Sequence, residues 1–294
     1  MELSATFITS KQNKLFKEWL TIFKRKKRDF CLVEGERIVK ELYASPSFVK
    51  KVECLILTPD FWQTEQKFLL GLFANANLSM AELPKIYVLA TSLYKQISTT
   101  VQSQGIIAVL NLAKLAACNF KVEAEQHELL ATFQPAVSIK EREIVLVLDQ
   151  VQDPGNLGNI IRAAAAFGVR DIYLLEGTVH AWQDKVLRST MGGIFKVNIV
   201  ENQQATTLFQ QLKANNYTLL AAALAKENIF SFLQTYPQAK LKKLALIMGN
   251  EGNGVSQASL DAAHGILTIP MLENSESLNV ASATAICLAE LRFH

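Results

Sequence analysis

No two of the four cysteines form a C-x-x-C pair; Cys31, Cys54, Cys118 and Cys287 stand far apart, and His127, His180, His264 and His294 share no ligand spacing with them. Neither a disulfide framework nor a metal site is expected. Long apolar runs are missing too: nothing approaches the ~20 residues that a membrane-spanning helix requires. The opening residues MELSATFITS lack the basic segment and apolar stretch of a secretory signal. The expectation is a soluble, cytoplasmic protein with no membrane partner. Strong charge of one sign is also lacking, since the net charge is +3 and the pI about 8.6. That balance alone does not indicate nucleic acid. Neither G-x-G-x-x-G nor G-x-x-x-x-G-K-[ST] occurs, so neither a dinucleotide fold nor a P-loop kinase is supported. No internal repeat or low-complexity tract is visible.

What is present is globular material. Of 294 residues, 50% are apolar and 19% charged, enough for two cores. Residues 1–112 read as an α/β domain. A helix follows SKQN, with Leu15, Trp19, Leu20, Ile22 and Phe23 near helical spacing. Lys11, Lys14, Lys17, Lys24, Arg25, Lys26, Lys27 and Arg28 crowd the same stretch against one acid, Glu18. Such a run can be merely a solvated helix end, and it also suits an anionic polymer. Strands are expected at Phe30–Val33, Val52–Leu57, Lys85–Leu89 and Gly105–Leu110, with helices over Glu36–Ala44 and SLYKQISTT. Residues 113–142 show no strand period and are expected to form a linker with a partial helix.

From 143 to 294 strands and helices alternate. The continuous apolar run Ile144–Leu148 suits a strand covered on both faces. An alanine-rich helix over Asn156–Phe167, closed by Gly168, and strands at Asp171–Leu175 and Tyr217–Ala222 continue a β-α-β order. The expected fold class is α/β, a parallel sheet.

Three polar loops in this half each follow an apolar strand. They lie within IVLVLDQVQDPGNLGNIIR, LALIMGNEGNGVS and LTIPMLENSESLN. Ligands of open α/β sheets sit beyond the carboxyl ends of strands, where such loops converge, so one composite site is expected. Taken singly, the loops have simpler explanations. Ser275 or Ser277 could only cap the last helix, Asn156 could cap the first, and the glycines of GNEGNG could only make a turn. Glu251 fits that last explanation poorly, because glutamate is not a favoured turn residue.

NLGNIIR with Asn156, Gly158 and Arg162, then GNEGNG, then IPM with SLN resemble the three motifs of the SpoU (TrmH-type) RNA 2′-O-methyltransferases of the SPOUT superfamily. The segments IxSKQNxLFK, LVEGERIVKEL and QGIIAVL resemble, more loosely, the RNA substrate-binding domain that precedes the catalytic domain in many of them. The resemblance implies a parallel-sheet SPOUT domain with a C-terminal trefoil knot, S-adenosyl-L-methionine as cofactor, structured RNA, chiefly ribosomal, as substrate, and a homodimer. It places Arg162, Asn156, Glu251, Ser277 and Asn279 in the catalytic set. The methyl donor is expected at Gly249, Ile269 and Leu278. RNA is expected at Lys11, Lys14, Lys24, Arg25, Lys26, Lys27 and Arg28, and at Arg188 in LRSTMGG, where Thr190 keeps a hydroxyl at a serine-like place. Asn274 departs from the pattern, standing where many members have glycine. The alternatives are an RNA-binding ribosome assembly factor without the chemistry, a transfer-RNA methyltransferase, and a nucleotide-binding regulator that uses the Gly-rich loops.

Overall fold

The chain divides into two units, Met1–Lys121 and Val122–His294. The computed structural model describes residues 3–24, 29–100, 102–113, 142–224, 228–272 and 277–293. Arg25, Lys26, Lys27, Arg28 and Asn274 lie outside the described residues, as does all but the two ends of the expected linker.

In the first unit, in chain order, are β1 (Thr6–Ile8), α1 (Lys14–Phe23), β2 (Phe30–Glu34), α2 (Glu36–Tyr43), α3 (Pro46–Val49) and β3 (Val52–Leu57). Then come α4 (Pro59–Thr64), α5 (Gln66–Asn75), β4 (Lys85–Leu89), α6 (Thr91–Tyr94) and β5 (Ile106–Asn111). The strands form one mixed sheet in the order β1-β4-β3-β5-β2, with β2 and β3 antiparallel to β5. Asn13 starts α1 by accepting from the backbone N–H groups of Leu15 and Phe16. The helix buries Phe16, Trp19 and Ile22 against Ile56, Leu89, Tyr94 and Ile107, each large apolar side chain contributing about 1.5–3 kcal/mol. Lys11, Lys14, Lys17 and Lys24 remain exposed.

The helix expected over SLYKQISTT stops at Tyr94. The cause lies far away in sequence. Glu34, ending β2, accepts from the hydroxyls of Ser98, Thr99, Thr100 and Ser103 and from the Thr99 N–H, at 2.6–3.1 Å. A carboxylate with that many donors holds the segment in a loop, because leaving it unpaired would cost more than one turn of helix returns.

In the second unit are β6 (Glu143–Leu148), α7 (Pro154–Ala166), β7 (Asp171–Leu175), α8 (Asp184–Thr190), β8 (Asn198–Gln203) and α9 (Ala205–Ala214). They are followed by β9 (Thr218–Ala222), α10 (Ile229–Thr235), β10 (Lys243–Met248), α11 (Gln257–Ala262), β11 (Gly265–Leu267) and α12 (Val280–Phe293). All six strands are parallel, in the order β11-β9-β10-β6-β7-β8. The expected parallel α/β sheet is thus present. The central pair, β6 and β10, is buried from Ile144 to Leu148 and from Leu244 to Met248, and its register sets Leu148 beside Met248. From β6 the chain moves toward β7, and from β10 toward β11 on the other side. The strand order therefore reverses between β6 and β10, and a crevice opens at their carboxyl ends.

Candidate active site

The loop after β6 and the loop after β10 face each other across that crevice. Asp149, directly after β6 and 2% exposed, accepts from the Ser256 N–H at 2.9 Å and from the Ser259 hydroxyl at 2.7 Å. Ser256 in turn caps α11. Gln150 carries φ +62°, a left-handed conformation unusual for a side chain of its size. Its carbonyl accepts from Asn250 Nδ2 at 2.8 Å. The Asn250 Oδ1 closes the turn by accepting from the N–H groups of Gly252 and Asn253. Gly249 is required by contact, since a Cβ there would collide with the backbone of Gly254 and Val255.

Glu251 spans the crevice. Its two oxygens accept from the Gln152 N–H and the Asp153 N–H, each at 3.1 Å, and from Asn156 Nδ2 at 2.9 Å. Partial burial pushes its pKa up, but the donors of Asn156, Gln152 and Asp153, with its own N–H, outweigh that, and the net shift is downward.

Asn156 is not the cap of α7. Asp153 takes that place, accepting from the Asn156 N–H at 2.9 Å, and Pro154 starts the helix two residues earlier than its alanine pattern suggests. Those donors hold Asp153 below its ordinary pKa, the Asn156 N–H first and the Lys185 ammonium second. The Asn156 amide is thus free to bond outward on both sides. Nδ2 reaches Glu251, and Oδ1 accepts from Asn279 Nδ2 at 2.9 Å.

Ser277 does not start the last helix either. Asn279 does so, its Oδ1 accepting from the Ala281 N–H at 2.9 Å and its carbonyl from the Ala283 N–H. Both ends of that side-chain amide are therefore used. Ser277 and Leu278 are exposed just before it.

The structure thus joins Glu251, Asn156 and Asn279 directly, with Gly249 and Ile269 at the same edge of the sheet and Ser277 and Leu278 next to Asn279. Arg162, further along α7, is exposed, and its guanidinium has no hydrogen-bond partner among the described residues. Asn156, about two turns earlier on the same helix, does not reach Arg162, because its amide bonds Glu251 and Asn279. Arg188 is exposed on α8, which packs closely on α7. Gly158 permits that approach, since a Cβ would collide with Ser189 and stand 2.8 Å from the Val186 carbonyl. Thr190 is buried and donates its hydroxyl to the Leu187 carbonyl, so it is not available to a ligand.

Two residues that sequence reasoning passed over belong here. Asp149 anchors the β10 loop, and the signal for it was an acid placed directly after a wholly apolar strand. Lys185 meets the Asp153 carboxylate at 3.1 Å; nothing in the sequence near it pointed to that pairing.

An RNA methyltransferase is the class of protein that this fold and these converging loops define. The chain belongs to the SpoU rRNA Methylase family, whose model matches residues 143–289. It is 32% identical over 288 residues to the 23S rRNA (guanosine(2553)-2′-O)-methyltransferase RlmP of Bacillus subtilis, covering 97% of this chain and 98% of that one. It is 26% identical to the 23S rRNA (guanosine-2′-O-)-methyltransferase RlmB of Salmonella typhi, over 65% of this chain and 80% of that one. The fold matches that of an AdoMet-bound rRNA methyltransferase from Sinorhizobium meliloti with a TM-score of 0.74, at 22% identity, over 98% of this chain and 97% of that one.

Proposed function

We propose that this chain transfers the methyl group of S-adenosylmethionine to a ribose 2′-oxygen of ribosomal RNA. The observation that carries the reading is the unbroken hydrogen-bonded line Glu251–Asn156–Asn279, which ties the three motif loops together at the crevice where the strand order reverses. The relatives RlmP and RlmB, named as 23S rRNA 2′-O-methyltransferases, support the same substrate.

The residues present suit the methyl donor. Ile269, the exposed Leu278 and the backbone around Gly249 offer apolar surface and main-chain groups to an adenosyl moiety, the mixture that such sites use. When bound, the donor supplies a sulfonium-linked methyl group open to in-line attack. The chain's own part is alignment. Glu251 and Asn156 hold the loops, and Asn279 and Ser277 would position the donor, the loop or the acceptor ribose. Arg162 presents a planar fork of N–H donors, so its role is to bind and orient the phosphate next to the target ribose. Arg188 adds a second cation for the RNA.

The first unit docks the RNA through Lys11 in the turn before α1, Lys14 at its start and Lys24 directly after it, with residues 1–112 as docking domain and 113–142 as linker. Passage of the C-terminal segment through a trefoil knot, a cytosolic location and a homodimer belong to the same reading. The apolar positions of α12 that a dimer contact would use are Val280, Ala283, Ala285 and Ile286, which are half-buried, whereas Leu288 is fully buried within the chain. Sedimentation equilibrium giving a monomer at working concentration would remove the dimer.

The test of the function is transfer of labelled methyl from S-adenosylmethionine to ribosomal RNA taken from cells lacking this protein, with Arg162→Ala alongside. Label on a ribose 2′-oxygen that Arg162→Ala abolishes supports the reading. Donor binding without transfer to free RNA would point to an assembled ribosomal particle as the substrate, and no binding of the donor at all would leave an RNA-binding factor.

A further inference from the structure

Helices α7 and α12 pack side by side, and each carries one member of the asparagine pair at its N-terminal end. Their opposite ends are tied as well. Arg292, in the last turn of α12, donates from Nε to the Phe167 carbonyl at 2.9 Å and from Nη2 to the Gly168 carbonyl at 3.3 Å. These are carbonyls at the C-terminal end of α7, which a cation satisfies both as donor and as charge. Arg292 Nη1 also donates to the Arg142 carbonyl at 2.9 Å, and Arg142 returns a bond from Nη1 to the Leu291 carbonyl at 2.7 Å. The rings of Phe167 and Phe293 meet edge to face at 6.3 Å in the same place.

Three fixed points thus converge on one guanidinium: the end of α7, the end of α12 and the residue that leads into β6. Between the two ends, the buried residues are Leu157, Ile160, Ile161 and Ala164 on α7, and Ala281, Thr284, Cys287 and Leu288 on α12. The Thr284 hydroxyl bonds its own helix at Val280. Apolar packing of this kind is non-directional and resists separation more than sliding. Hydrogen bonds are directional and fail within a fraction of an ångström of stretch. From Asn279 to Arg292 the chain runs about 20 Å along one unbroken helix.

We propose that Arg292 is a positioning residue for methyl transfer: by locking the far ends of α7 and α12 to each other and to the start of β6, it sets the register in which Asn279 meets Asn156 at the near ends. This rests on the reading of the Glu251–Asn156–Asn279 line as part of the active site. Arg292 touches no reacting atom and acts only through that line.

The test is a double-mutant cycle in the full-length protein. Rates are measured at saturating S-adenosylmethionine on ribosomal RNA from cells lacking the protein, for Arg292→Ala, Asn279→Ala and the double variant. Arg292→Ala is expected to lower kcat about tenfold, and in the Asn279→Ala background to cost no more than about twofold further. Arg292→Lys, which keeps the charge but reaches fewer carbonyls, is expected to recover part of the rate; the same cycle run with it replaces the alanine cycle if that variant does not fold. Losses that multiply in the double variant, or a folded Arg292→Ala enzyme with wild-type kcat, overturn the proposal and leave the site reading intact. A wild-type rate for Asn279→Ala overturns the site reading and the proposal with it.

Discussion

Asn279 donates from Nδ2 to the Oδ1 of Asn156 across 2.9 Å, and the two residues are 123 apart in sequence. Each amide is spent at both ends: Asn156 also donates to Glu251, and Asn279 also caps α12. The orientation of both amides is therefore set by what they must give and accept, and neither can turn over without breaking two bonds.

Asn156→Ala removes the middle of the line. Loss of two hydrogen bonds, one of them to a carboxylate, is expected to lower methyl transfer about tenfold to a hundredfold. Asn156→Asp should be worse near neutral pH, because it sets a second carboxylate against Glu251, and should recover as acid protonates one of the pair. Initial rates of labelled methyl transfer across pH decide this. An Asp variant as active as wild type at neutral pH would contradict the assignment of Nδ2 as donor.

The pKa of Glu251 lies below its ordinary 4.5, because its donors outweigh desolvation. Its unfolded form therefore binds a proton at higher pH than its folded form. The stabilisation it brings is complete above about 4.5 and is lost as pH falls through the lower folded value. Thermal melts of wild type and Glu251→Gln should differ by a constant amount from about pH 7 to 5 and converge at more acid pH. A difference that grows on acidification would have the wrong sign.

Gly158→Ala drives a methyl group into Ser189 and the Val186 carbonyl, where α8 rests on α7. Overpacking of this kind costs about 1–3 kcal/mol. Urea denaturation should show it, with Ser189→Gly restoring only part, since the clash with the carbonyl remains.

Asp149→Ala leaves the Ser256 N–H and the buried Ser259 hydroxyl without their shared acceptor. The expected loss is about 1–3 kcal/mol of stability. Asp149→Asn keeps one acceptor oxygen and should lose less. Unchanged denaturation midpoints in both variants would show that water replaces the carboxylate freely.

Replacing Lys11, Lys14 and Lys24 together by alanine should flatten the salt dependence of RNA binding. The slope of log affinity against log salt falls by roughly 0.7–0.9 for each phosphate that is no longer neutralised. Filter binding at several salt concentrations measures it, and an unchanged slope would remove α1 from the RNA surface.

Much of the second unit was legible because its signals are local. Ile144–Leu148 and Leu244–Met248 are continuous apolar runs, and only a strand buried on both faces uses such runs economically. The first turns of the helices were less legible. Ser275, Ser277 and Asn279 are all good capping residues, and propensity does not rank them. In the fold Asn279 starts the helix, and its amide is also the one that meets Asn156. The helix expected over SLYKQISTT failed for a similar reason. Glu34, more than sixty residues upstream, gathers its hydroxyls into a loop.

By itself the sequence determined the elements and the motif residues, since apolar periodicity, proline and glycine act over a few neighbouring residues. Tertiary structure alone decided which of those residues touch. Glu251 meets Asn156 across 95 residues, and Arg292 meets Phe167 across 125. Those meetings depend on β10 lying beside β6 in the register that aligns Met248 with Leu148. Apolar burial drives that pairing without specifying partners, whereas the hydrogen bonds that finish the site need their atoms within about 3 Å, a condition that only the assembled sheet and helices meet.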